Sequence, residues 1–235
     1  MKTTIHRAST RGHANHGWLD TNHTFSFAHY YNPERIHFGA LRVLNDDFVE
    51  GGMGFGTHPH DNMEIISIPL VGDLEHKDSM GNTTVISQND VQIMSAGTGV
   101  QHSEYNRNKD KKVNFLQIWV FPKERNIKPR YDQKTFDPQA RVNTLQEIVS
   151  PDGREGVQIN QDAWFHMTSL QVGREITYDL KRKGNGLYIF VLNGDLTLAG
   201  EKLGRRDGIA IEGVGQVTLK AESDAEVLVM EVPMR

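Results

Sequence analysis

Short β-rich runs separated by turn residues recur along the whole chain, and this rhythm constrains the fold more than any other feature. ALRVL, MEIISIPL, TTVIS, VQIM and NFLQIWVF are followed by ITYDL, LYIFVL, LTLAG, IAIEG, QVTLK and AEVLVMEV. Val, Ile and aromatic residues dominate these runs, and Gly81-Asn82 and Asn193-Gly194-Asp195 supply turn chemistry between them. Helical periodicity is scarce, and only Thr144 to Val149 reads as a turn or two of helix. Many short strands with regular punctuation predict an all-β protein of the sandwich or barrel class.

The pattern also repeats. Leu70-Val71-Gly72-Asp73-Leu74 matches Leu192-Asn193-Gly194-Asp195-Leu196, and each closes an apolar strand. Further on, Asp90-Val91-Gln92-Ile93 is echoed by Asp207-Gly208-Ile209-Ala210. Two matches in the same order predict two similar β-barrel domains. The polar, proline-marked segment PKERNIKPRYDQKTFDPQARVN lies between them. The expected division is therefore 1–122, a linker or crossover at 123–143, and 144–235.

Charge and composition exclude several classes of function. The formal net charge of -4 argues against direct nucleic-acid binding, which calls for a basic face. The Lys109, Lys111 and Lys112 cluster reads as a solvated loop. No stretch is long and apolar enough to span a bilayer, so no membrane association is expected. The opening MKTTIHRAST lacks the apolar run of a secretory signal. With no cysteine, disulfides, thiolate ligands and a cysteine nucleophile are excluded, which fits a cytoplasmic protein. No nucleophile elbow, phosphate-binding loop or dinucleotide fingerprint is present. The count of 11 histidines is high for such a chain, and histidine is the commonest metal ligand.

Two motifs gather that histidine into chemistry. In Gly56-Thr57-His58-Pro59-His60, residues two apart on a strand share a face, so His58 and His60 converge. His102-Ser103-Glu104 is a second pair of the same kind, and the strands between the motifs let the chain fold back to join them. Three imidazoles and one carboxylate make an N/O site that suits Fe, Mn, Co, Ni, Cu or Zn, whereas Ca and Mg prefer shells of oxygen. Glu64 shares strand parity with His58 and His60, so spacing alone leaves either glutamate as the fourth ligand. Phe55 and Met94, near the two motifs, are candidates to line an apolar substrate pocket. His13, His16, His23, His29 and His37 lie among Trp18, Phe25, Phe27, Tyr30 and Tyr31. They read as a packed aromatic segment with hydrogen-bonding histidines.

The run GMGFGTHPHDNME resembles the first cupin motif, and NDVQIMSAGTGVQHSEYN resembles the second. The second departs from the general pattern, with Ser95 where proline is usual and two extra residues between Gly97 and His102. Those departures, together with RGHANHGWLDTNHTFSFAHYYNPE and DSMGN, resemble the pirin branch of the cupins. The similarity is dense from Arg11 to Pro122, and it is closest to the compact bacterial pirins, some of which open flavonols such as quercetin.

The resemblance implies a bicupin fold of two jelly-roll barrels. It implies one divalent transition metal ion per chain, iron foremost, held by His58, His60, His102 and Glu104. Glu104 then serves as the catalytic base, and Glu64 does not bind the ion. The implied activity is a quercetin 2,3-dioxygenase-like ring opening, with a flavonol and dioxygen as the small-molecule partners and carbon monoxide released. The family's other implied role is a redox-sensitive regulator acting through a protein partner. The second half is expected to lack metal: gap-free alignment puts Leu180 and Arg182 opposite His58 and His60, and Leu219 and Ala221 opposite His102 and Glu104.

Overall fold

The computed structural model describes residues 1–234. Nearly every element is a β-strand, and the chain forms two compact units. One comprises Gly12–Phe136 with Val157–Gln161; the other comprises Met1–Arg11, Asp137–Gly156 and Asp162–Arg235.

In the first unit a larger sheet runs in the order Arg130–Thr135, Asp90–Ser95, Glu64–Val71, Val113–Val120, Leu41–Val49, Leu19–His23, Gly12–Asn15. A smaller sheet runs Gly54–His60, Val100–Asn106, Leu74–Asp78, Thr83–Ile86. Leu19, Val49, Val113 and Phe115 from the larger sheet pack with Leu74 and Ile86 from the smaller, so the two sheets share one interior. Burying such side chains stabilises by about 1.5–3 kcal/mol each.

The second unit repeats this plan. Glu175–Asp179, Gln216–Ala221, Leu196–Leu198 and Glu201–Leu203 form its smaller sheet. Its core joins Leu196, Val217 and Leu219 to Leu187, Ile189 and Val229 of the larger sheet. The two Gly-Asp turns that suggested duplication match in backbone conformation, with φ of +79° at Gly72 and +77° at Gly194. A side chain at Gly194 would also collide with the Asp224 carbonyl, 2.2 Å from an ideal Cβ. Glycine is therefore required there both by conformation and by space.

The boundaries differ from those expected. The first strand, Lys2–His6, pairs with Gly208–Glu212 and so belongs to the C-terminal unit. The expected linker 123–143 is not a free connection, because Arg130–Thr135 pairs with Asp90–Ser95 inside the N-terminal unit. Its polar side chains resemble a linker because the strand lies at the end of its sheet. Gln146–Ser150 is a strand rather than the expected helical turn. Ile148 and Val149 are fully buried there, and β-branched residues suit a pleated, packed surface.

Candidate metal centre

The interior of the N-terminal unit holds a set of buried polar side chains. Val100–Asn106 alternates strictly, burying Val100, His102, Glu104 and Asn106 and turning the residues between them outward. His102 pairs directly with His58, and Val100 with His60. Pro59 is tolerated between the two histidines because Gly54–His60 is an edge strand.

The three imidazoles meet. Ring centroids lie 4.4 Å apart for His58 and His102, 4.8 Å for His58 and His60, and 4.9 Å for His60 and His102. One ring nitrogen from each falls within 4.8 Å of the others. His58 Nδ1 donates to the Gly56 carbonyl at 2.7 Å, which leaves its Nε2 lone pair for another partner. Burial, and then the neighbouring imidazoles, push His60 down to about 4 and His102 to about 3. Both rings are therefore neutral at neutral pH and present lone pairs.

His102 Nδ1 and Nε2 and His60 Nε2 are buried without a hydrogen-bond partner. Buried polar atoms of this kind cost about 1–3 kcal/mol each when unpaired. A divalent transition ion would take one nitrogen of His102 and His60 Nε2, so the residues present fit the metal that the resemblance implies.

Glu104 lies fully buried beside this triad. Ser67 Oγ donates to its Oε1 at 2.9 Å and Gln117 Nε2 to its Oε2 at 2.7 Å. It groups with His102 and with His76, each offering an atom within 4.8 Å of the others. Glu64 is elsewhere. The strand ends at His60, Asn62 turns with φ of +46°, and Glu64 begins a strand of the other sheet. That turn breaks the parity inferred from spacing. Glu64 Oε2 instead accepts from Ser95 Oγ at 2.7 Å and from the Asn160 amide at 3.1 Å, and burial raises its pKa.

Beside the imidazoles is a cavity of about 270 Å³, lined by His58, His60, Phe55, Phe27, Trp119 and Asp47 among others. Phe55 reaches it through a β-bulge. His102 pairs with His58, but Glu104 pairs with Phe55 rather than Gly56, and the extra residue swaps which side chain points inward. Met94 does not line it. It is fully buried and packs against Ile65, Ala96 and Val100 as ordinary core.

The N-terminal histidines also divide. His16 and His23 line the cavity, His13 pairs with Asp20 at 2.7 Å, and His37 donates to the Gly39 carbonyl. The motif reading passed over His76, although Leu74, His76 and Asp78 share one face of their strand. His76 Nε2 donates to Asp78 Oδ2 at 3.0 Å, both side chains fully buried, and its ring lies 5.4 Å from His102. Asp47 was missed because no local motif marks it. Burial, reinforced by Asp46 and Glu104, raises it to about 7.

The corresponding positions of the second unit carry other side chains. Val217 pairs with Tyr178, and Leu219 lies opposite Ile176 and Leu198. Matching Leu196 to Leu74 across the two Gly-Asp turns sets Val217 at the position of His102 and Leu219 at that of Glu104. The gap-free alignment was therefore displaced by two residues on this strand. On the other strand Tyr178 replaces His58, while Leu180 lies opposite His60 only through this corrected frame. Val217, Leu219 and Tyr178 are buried at these positions.

Fold and site together define a two-barrel cupin protein whose N-terminal barrel carries a candidate metal site. Comparison with known proteins makes this specific. Residues 4–120 match the family described as Pirin, and residues 147–232 match the quercetinase C-terminal cupin domain. A quercetin 2,3-dioxygenase of Escherichia coli K12 is 44% identical over 230 residues, covering 97% of this chain and 98% of that protein. A pirin-like protein of Caulobacter vibrioides is 36% identical, covering 94% and 95%. The crystal structure of an Escherichia coli bacterial pirin in complex with nickel(II) superimposes with a TM-score of 0.94 at 42% identity, covering 99% of each chain. The chain belongs to the pirin family, and it is an oxidoreductase of the kind its enzyme relatives represent. No helix among the described residues is long and apolar enough to cross a membrane.

Proposed function

We propose that this pirin is a metal-dependent dioxygenase that opens the central ring of flavonols such as quercetin and releases carbon monoxide. The observation that carries the proposal is the convergence of three imidazoles beside an aromatic-lined cavity. The names of the relatives supply the substrate class.

His58, His60, His102 and Glu104 would hold one divalent ion, for which we infer iron, with nickel also compatible with the N/O donor set. When bound, the ion supplies Lewis acidity that lowers the pKa of a hydroxyl placed against it. Glu104 takes the proton of the flavonol 3-hydroxyl, and Ser67 and Gln117 hold its carboxylate in place for that transfer. Phe27, Phe55 and Trp119 provide flat apolar contact for the ring system. The flavonolate then combines with dioxygen; both oxygen atoms enter the products, and one ring carbon leaves as carbon monoxide.

The test is turnover by metal-reconstituted protein. Quercetin's absorption band should bleach with matched oxygen uptake and carbon monoxide release, and chelated protein should do neither. Absence of turnover above free metal with Fe, Mn, Co, Ni or Cu would leave the metal-binding regulator, acting through a protein partner, as the reading to pursue.

A further inference from the structure

The cavity has a polar wall that the proposed chemistry does not use. It is built by Leu19–His23 and Leu41–Val49, neighbouring strands in which Thr21 pairs with Asp47 and His23 with Asn45. All four side chains are buried and all four line the cavity. Thr21 Oγ1 donates to Asp47 Oδ1 at 2.5 Å, and His23 Nδ1 lies 3.0 Å from Asn45 Oδ1. Among the described residues, no protein donor reaches Asp47 Oδ2.

A carboxylate buried in this way is costly unless something donates to it. Thr21 meets half of the requirement and fixes the orientation of the group. The donor on the other side must come from what enters the cavity. Leu19, Phe27, Phe55 and Trp119 surround the same space, so the occupant is a flat ring system. A cationic donor is disfavoured because the imidazoles in the cavity fit a divalent ion. What remains is a neutral hydroxyl.

We propose that Asp47, oriented by Thr21, is a recognition subsite for a peripheral hydroxyl of an aromatic substrate, separate from the oxygen that meets the metal. The subsite selects polyhydroxylated ring compounds over analogues lacking those hydroxyls. This rests on the flavonol reading for its choice of probe but not for its geometry. The burial-raised pKa of Asp47 is consistent with a group that gains from an added donor.

The experiment compares quercetin with 3-hydroxyflavone, which keeps the 3-hydroxyl and lacks the peripheral ones. Binding to metal-loaded protein is followed anaerobically at pH 8, above the raised pKa of Asp47 so that the group is ionised, by quenching of tryptophan fluorescence, since Trp119 lines the cavity. Wild type should prefer quercetin by about 10- to 100-fold, the range expected for one hydrogen bond to a charged group. Asp47→Ala should reduce the preference to within about threefold by weakening quercetin alone. Thr21→Val, a conservative change, should lose part of it and serves if the first variant fails to fold. Metal content should be unchanged in both.

A wild type without preference, or variants that keep it or that weaken both ligands equally, would overturn the subsite. Aerobic turnover is read separately. A preference lost in Asp47→Ala with no turnover by wild type would sustain the subsite and reject the dioxygenase. Turnover of both flavonols with equal kcat/KM would do the reverse.

Discussion

Exchanging each of the two buried glutamates for glutamine separates their roles. At free metal about a thousandfold above Kd, an ion that binds only the folded chain stabilises it by about 4 kcal/mol. For a chain of this size each kcal/mol shifts Tm by about 2–4 °C, so metal-loaded wild type should melt about 8–16 °C above the chelated form. Glu104 is the one carboxyl group in the proposed ligand set, whose other members are imidazoles. In Glu104→Gln the amide can still meet Ser67 and Gln117, so the chelated variant should fold. Its affinity for the ion should fall by about 100-fold, or about 2.8 kcal/mol, leaving a rise of only about 2–5 °C. In Glu64→Gln the amide oxygen can still accept from Ser95 Oγ and the Asn160 amide. That variant should lose at most about tenfold in affinity and keep most of the rise. Metal content by elemental analysis and melting with and without chelator measure both effects. If Glu64→Gln abolishes the metal-dependent rise while Glu104→Gln keeps it, the fourth ligand has been assigned to the wrong glutamate.

Two further outcomes follow from buried groups near the centre. His76→Ala or Asp78→Asn removes the fully buried pair that backs His102, and metal affinity should fall by about 10- to 100-fold without loss of fold; competition with a chromophoric chelator measures this. Asp47 is the second group: burial keeps it protonated in the folded chain up to about pH 7, whereas it ionises near 3.8 when unfolded. A raised carboxyl pKa means that stability is lost as pH rises from about 4 to about 7. In chelated protein, Asp47→Asn should therefore gain stability over wild type across that window and level off above it. Denaturant titrations at pH 4.5 and 8 check the sign, and an equal difference at both pH values would refute it.

The strand rhythm, the duplication and the two histidine motifs are local facts, and the sequence determined them alone. Side chains two apart on a strand must share a face, so His58 with His60, and His102 with Glu104, could be paired without a structure. The pirin-like departures around Gly97 and Ser95 carried the choice of Glu104. What the tertiary structure decided depends on register and on strands far apart in the chain. The turn at Asn62 moves Glu64 to another sheet, and the bulge opposite Glu104 sends Phe55 into the cavity where parity alone would have pointed Gly56. Met94 became core because its neighbours across the sheet are apolar, a fact that its own strand does not record. Lys2–His6 left the half that its numbering suggested, because an open sheet edge accepts whichever strand reaches it. Asp47 and Thr21 face a common cavity with His58 only because three successive strands, two in one sheet and the third in the other, fold around it. Period-two patterning tells which side chains share a face, but it carries no information about what that face will meet.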